Sequence, residues 1–146
     1  DLKIKKLDSL KEISHGLWEG KLEAEIREKW PVLLKNWHDK PEEVIMPNGE
    51  SIKDVSERSI EAFNNICLSQ KDNDLTLLVA HDAVNKTLIC NILGIYFSDI
   101  WMIKQGNGGI TIIDLFNDNS KPPVISALNI TTHLGGILDS TASGAL

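Results

Sequence analysis

"LTLLVAHDAVNKTLI", residues 75–89, is the stretch that decides the fold. Leu75, Leu77, Leu78, Val79 and Ala80 make five apolar residues in the first six. A run of that kind predicts a short strand buried on both faces, as at the centre of a parallel sheet. From Ala83 to Leu93 the spacing of Val84, Leu88, Ile89 and Ile92 predicts a helix, and Gly94 is a natural C-cap. His81 falls at the junction. In open α/β sheets ligands gather at the carboxyl ends of strands, where helix N-termini offer unpaired N–H groups to anions. A histidine there either caps and packs, or as a cation donates to a phosphate oxygen or to charge developing in phosphoryl transfer. Asn85, four residues on, shares a helix face with His81. Lys86 reads as solvated, and Asp82 as a cap for the helix.

Outward from this unit the chain is punctuated clearly. Residues 1–11, "DLKIKKLDSLK", and the Gly16 to Gly20 segment read as loop. Leu22, Ile26, Trp30, Leu33, Leu34 and Trp37 follow helical period, with Pro31 breaking or restarting the helix. "KPEEVIMPNGES" is a loop that ends on Ser51, an N-cap with Asp54 three residues on, and a helix of about four turns follows. "ITIIDLF" (110–116) and "VISALNI" (124–130) are β-branched runs separated by the turn "NDNSKPP". The order of helix, helix, strand, helix, strand, strand predicts an α/β layer fold. Three strands make a narrow sheet, and two helices precede any strand to wind around. That order predicts the later half of a larger unit.

The 146 residues suffice for one core and one domain. With 15 Lys+Arg against 21 Asp+Glu, the net charge of −6 argues against a nucleic-acid partner, which wants a basic face. An anionic ligand must be held by a local site. Cys67 and Cys90 lack zinc or disulfide spacing, which points to a reduced, cytoplasmic setting. No apolar run is long enough to span a membrane. The opening Asp1-Leu2, without a Met, suggests a processed protein or a piece of a longer one.

A second constellation is "LKEISHGLWEGK". Glu12 and Glu19 flank a glycine-bearing turn next to Trp18, a setting in which a carboxyl can serve as a general acid. The bland alternative is a surface loop with ordinary glutamates. His15 does not follow a buried strand and is set aside.

Taken in order, these pieces carry a resemblance. Leu10-x-Glu12-x-x-x-Gly16-x-Trp18-Glu19-Gly20 is followed by Pro47-x-Gly49-Glu50-Ser51, by Arg58 seven residues on, and by "LLVAH" ending at His81. Leu93-Gly94, and Asn107 before a β-branched strand, follow in turn. The set resembles the histidine phosphatase superfamily, also called phosphoglycerate mutase-like, from Leu10 to Leu134. The resemblance implies a partial phosphoglycerate mutase-like layered fold, a mainly parallel sheet with flanking helices, its N-terminal strands missing. Residues 1–134 would be the later part of one such domain, and 135–146 a mobile tail.

It also implies chemistry through a phosphohistidine. His81 would be the second active-site histidine, on the phosphoryl group, and Glu12 the proton donor and acceptor. Asn107 and Gly108 would bind substrate, and Glu19 would be structural. Ser51 and Arg58 would be helix-start and packing residues. No metal or other cofactor is implied. Asp82 departs from the family's usual glycine, which bears on pocket shape. The larger departure is that the family's Arg-His-Gly nucleophile segment has no counterpart. Arg27 and Arg58 are the only arginines, and neither precedes a histidine.

Two classes of function follow. The first is an enzyme, whose full-length parent hydrolyses the phosphate monoester of a small phosphorylated metabolite while the isolated piece is inactive. Hydrolysis is favoured over a mutase reaction because a mutase needs added basic groups to hold its substrate through reorientation. The wording "AHDAVNK…QGNGG…HLGG…TASGAL" further resembles the sugar-phosphate phosphatases of photosynthetic organisms. The second class is a non-catalytic phosphate-binding or interaction module, favoured by Asp82 and the missing nucleophile. A sheet edge left open by missing strands would promote homo-oligomers.

Overall fold

The computed structural model describes residues 3–116 and 121–135. Two short helices come first, α1 (Glu23–Lys29) and α2 (Pro31–Asp39). Pro31 takes the first position of α2, where its missing N–H costs nothing, while its ring stops α1 from running on. Ile26, Leu34 and Trp37 turn the buried faces of the pair inward.

The longest helix is α3 (Ile52–Ser69), started as the sequence predicts. The Ser51 hydroxyl accepts the Asp54 N–H at 3.1 Å, and the Asp54 carboxylate accepts the Ser51 N–H at 2.8 Å. Two donors that a helix start leaves orphaned are satisfied reciprocally. Helix α4 (Asp82–Leu93) ends at Gly94 in the left-handed conformation. Ala83, Val84, Thr87, Leu88, Ile89 and Cys90 are all buried, so α4 is covered on most sides and reads as the central helix of the core. It packs on α3. At that contact the Ser59 hydroxyl lies 3.4 Å from that of Thr87, and the Asn91 amide donates to Ser56 Oγ at 2.8 Å.

Around this pair the core gathers Ile13, Trp18, Ile26, Trp37, Met46, Val55, Phe63, Ile100 and Ile103. The Trp101 indole N–H donates to the Trp37 carbonyl at 3.0 Å, and the two rings meet edge to face at 5.1 Å. This ties the 3-10 segment Phe97–Met102 to α2.

Strands β1 (Ile110–Asp114) and β2 (Val124–Ile130) pair antiparallel, with Ile113 opposite Ile125. Those two isoleucines lean on the core.

The central parallel strand expected at 75–80 is not formed. The described residues hold one two-stranded antiparallel sheet and no parallel pair. Residues 75–80 make no backbone ladder, and Leu75, Leu77 and Val79 are 98%, 78% and 80% exposed. Leu78 and Ala80 alone rest against the core. The physical reason is that a strand is a paired object: among the described residues no other strand pairs with it, and it and β1 both line one groove. Both faces are apolar in composition, but one of them is bare. The turn residues 117–120 and the tail from 136 onward lie outside the described residues.

Candidate active site

Glu12, His81, Asn107 and Gly108 come from three separate regions of sequence, and all four line one groove of about 790 Å³. Residues 75–82 and 106–115 both line it, together with Phe63, Leu88 and Ile89 of the helices.

His81 is the N-cap residue of α4 in extended conformation (φ −126°, ψ 176°), and its imidazole makes no capping hydrogen bond. The ring is exposed at the groove. The helix start beside it presents N–H groups that favour an anion. Asp82 does not spoil this, and it does not cap the helix as the sequence suggested. Its carboxylate pairs with Lys86 at 2.9 Å. Lys86 is not solvated either. It is 8% exposed, and its ammonium lies 5.0 Å over the Trp101 ring. The carboxylate the sequence places at the site is thereby neutralised from within. Asn85 lines the groove next to His81.

Glu12 belongs to a loop whose shape is imposed by a second loop. The Leu17 N–H donates to the Pro47 carbonyl at 2.8 Å, and the Glu50 N–H to the Ser14 carbonyl at 2.9 Å. Gly16 has φ +54°, and a Cβ there would stand 2.2 Å from the Pro47 oxygen; one at Gly49 would stand 2.3 Å from the Ser14 oxygen. The two motifs that look independent in sequence are thus two halves of one backbone dock. The Arg58 guanidinium closes it. It holds Glu50 through Nε at 2.7 Å and Nη2 at 2.9 Å, and reaches the carbonyls of Ser9, Lys11 and Glu12. Burial alone would raise the Glu50 carboxyl, but hydrogen bonds from Arg58 and the Ser14 N–H outweigh it and hold the group below its ordinary range. The family resemblance implies only a packing role for Arg58. Its carbonyl partners lie 46 to 49 residues away, a distance no local pattern spans. Glu19 accepts the Ser14 hydroxyl at 3.0 Å, a structural part.

Asn107 and Gly108 sit in a turn closed by the Gly109 N–H on the Gly106 carbonyl at 2.8 Å. The Asn129 side chain accepts the Gly106 N–H at 2.8 Å and so fixes this turn to the end of β2. The other histidines stand apart from the groove. His15 meets Trp37 edge to face at 6.0 Å. Burial lowers its pKa, against an opposing pull from Glu12 and Glu19. His38 is exposed on α2 and His133 in the 3-10 turn Thr132–Leu134. Among the described residues no three His, Cys, Asp or Glu side chains gather as a metal site, both cysteines are free, and no helix is long and apolar enough to cross a membrane.

A helix-start histidine, a docked glutamate and a glycine turn thus share one groove. The profile of the histidine phosphatase superfamily (branch 1) matches residues 1–131, and the chain belongs to that family. Among curated relatives, it is 31% identical over 135 residues to phosphoserine phosphatase 1 of Hydrogenobacter thermophilus, covering 92% of this chain and 62% of the relative. It is 26% identical over 127 residues to a probable 2-carboxy-D-arabinitol-1-phosphatase of Arabidopsis thaliana, covering 85% of this chain and 26% of that protein. Among solved structures it resembles Bacillus stearothermophilus YhfR, with TM-score 0.75 and 26% identity, over 83% of this chain and 58% of the other. A phosphoserine phosphatase variant from Entamoeba histolytica, solved with phosphoserine, gives TM-score 0.75 and 26% identity over 92% of this chain and 66% of the other. The chain spans less than two thirds of the length of the curated relatives it matches.

Proposed function

We propose that the chain is the phosphoryl-receiving part of a phosphomonoester hydrolase. The observation that carries this is the convergence of Glu12, His81, Asn107 and Gly108 on one groove. His81 donates to an oxygen of the phosphoryl group, whose charge the first turn of α4 also favours. An imidazole supplied by chain outside these 146 residues attacks phosphorus. The N–P bond forms as the ester P–O bond breaks, and Glu12 delivers a proton to the departing oxygen. Water then attacks phosphorus as the N–P bond breaks, giving its proton back to the Glu12 carboxylate. The attacking group has a place to arrive, because residues 75–80, whose backbone is unladdered, and β1 both line the groove.

The substrate is a small phosphorylated metabolite. The phosphoserine phosphatase among the relatives favours an amino-acid phosphate over the sugar phosphates suggested by sequence wording. The second reading is a phosphate-binding module without turnover, favoured by the placement of His15, His38 and His133 away from the groove. The deciding experiment joins the chain to whatever coding sequence precedes Asp1 and measures phosphate release from serine phosphate. Release that is lost in His81→Ala supports the hydrolase. Phosphate binding without release, at any length of chain, leaves the binding module.

A further inference from the structure

We infer that Arg58 is the positioning residue for Glu12, setting the acid's place through the main chain rather than by touching its carboxylate. The inference rests on the reading of Glu12 as the proton donor.

A guanidinium has five N–H donors in a rigid plane, and Arg58 spends all five. Two go to Glu50. One Nη1 hydrogen bond goes to the Ser9 carbonyl at 2.8 Å and another to the Lys11 carbonyl at 2.7 Å, and Nη2 reaches the Glu12 carbonyl at 3.2 Å. Glu50, held by Arg58, accepts the Ser14 N–H at 2.9 Å. Glu12 is therefore fixed at its own carbonyl and at neighbours on both sides. Its carboxylate accepts the Ile13 N–H at 2.9 Å, so the head of the side chain follows the backbone that Arg58 shapes. The Arg58 side chain is only 21% exposed. Lysine would keep the charge but present a point cation with three donors in place of the planar fork.

A proton donor matters most where the leaving group is poor. Nitrophenolate departs with little help, whereas the alkoxide of serine phosphate needs the proton. The test uses the chain joined to the coding sequence preceding Asp1, with both substrates. Arg58→Ala and Arg58→Lys are expected to lower kcat/KM on serine phosphate about a hundredfold, the effect of a small misplacement, while kcat/KM on para-nitrophenyl phosphate, which reports phosphoryl transfer to the enzyme and not the later attack of water, stays near that of the parent. Glu12→Gln is expected to show the same selectivity at about a thousandfold. The double variant should be no slower than Glu12→Gln alone.

Equal losses on both substrates, or additive losses in the double variant, would overturn the inference. Failure of Glu12→Gln itself to discriminate would instead sink the reading of Glu12. Amide hydrogen exchange in the 146-residue chain decides the placement independently of activity. In Arg58→Ala, Ile13 and Ser14 are expected to exchange faster while the amides of α4 keep their protection. Unchanged exchange at those two amides, or loss of protection throughout, would also overturn it.

Discussion

The Lys86 ammonium lies 2.9 Å from the Asp82 carboxylate, one turn apart on α4, and both are largely removed from water, at 10% and 23% side-chain exposure. Removing one partner strands the other's charge. Lys86→Ala should lower stability by about 1–3 kcal/mol, read as a shift in the denaturation midpoint at constant slope. The pair Lys86→Met with Asp82→Asn should recover most of that loss. Additive losses in the pair would show that the two residues are not coupled.

The glycines of the two-loop dock should differ in cost according to what surrounds them. Gly16→Ala combines a left-handed backbone with collision against the Pro47 carbonyl, for about 2–4 kcal/mol. Gly20 has φ +72° but nothing within 4 Å of its would-be Cβ, so Gly20→Ala should cost about 1 kcal/mol. Thermal melts of the two variants check the order, and equal shifts would contradict the close approach.

Acid should weaken the fold in two stages. Burial holds His15 below its ordinary 6.5, so the unfolded chain binds that proton more readily. The stability His15 contributes is full above pH 6.5 and drains as the pH falls toward its folded value. Glu50, held below its ordinary 4.5, adds a second loss beginning beneath that value, by the same sign. Urea denaturation across the acid range should show both stages, and His15→Asn should abolish the first. A stability that rises on acidification would refute the assignment.

The bare row of Leu75, Leu77 and Val79 should make the 146-residue chain associate with itself. Leu77→Lys with Val79→Lys should suppress the rise of sedimentation coefficient with concentration. Stability should move by less than about 0.5 kcal/mol, because neither side chain is buried.

The 146-residue chain should turn over para-nitrophenyl phosphate negligibly, because none of its histidines outside His81 reaches the groove. His81→Ala should leave its stability within about 0.5 kcal/mol, the ring being exposed and uncapped. Turnover that disappears in His81→Ala would show instead that this chain carries a nucleophile of its own.

The elements encoded locally were legible in the sequence. Ser51 with Asp54, Pro31 at a helix start and Gly94 at a helix end act through neighbours a few residues away, and each stands where the pattern put it. Residues 75–80 failed for the opposite reason, since apolarity signals what a strand wants to bury and cannot report whether a partner is there. The grouping of Glu12, His81, Asn107 and Gly108 was reachable through the ordered family pattern. The burial of Lys86 depends on Trp101, and the grip of Arg58 depends on carbonyls whose side chains are irrelevant to it, so composition held no trace of either.

The meeting of the two loops at Gly16 and Gly49 is made by backbone atoms on both sides, and this constrains how the protein can diverge. A neighbouring position such as Leu17 brings only its main-chain N–H to the dock and leaves its side chain exposed, so that side chain is free to drift. The two missing methyl groups are not, and no change elsewhere in either loop can make room for them. Variation should therefore be tolerated at such positions and nearly absent at the two glycines, a pattern that selection for the fold alone would produce.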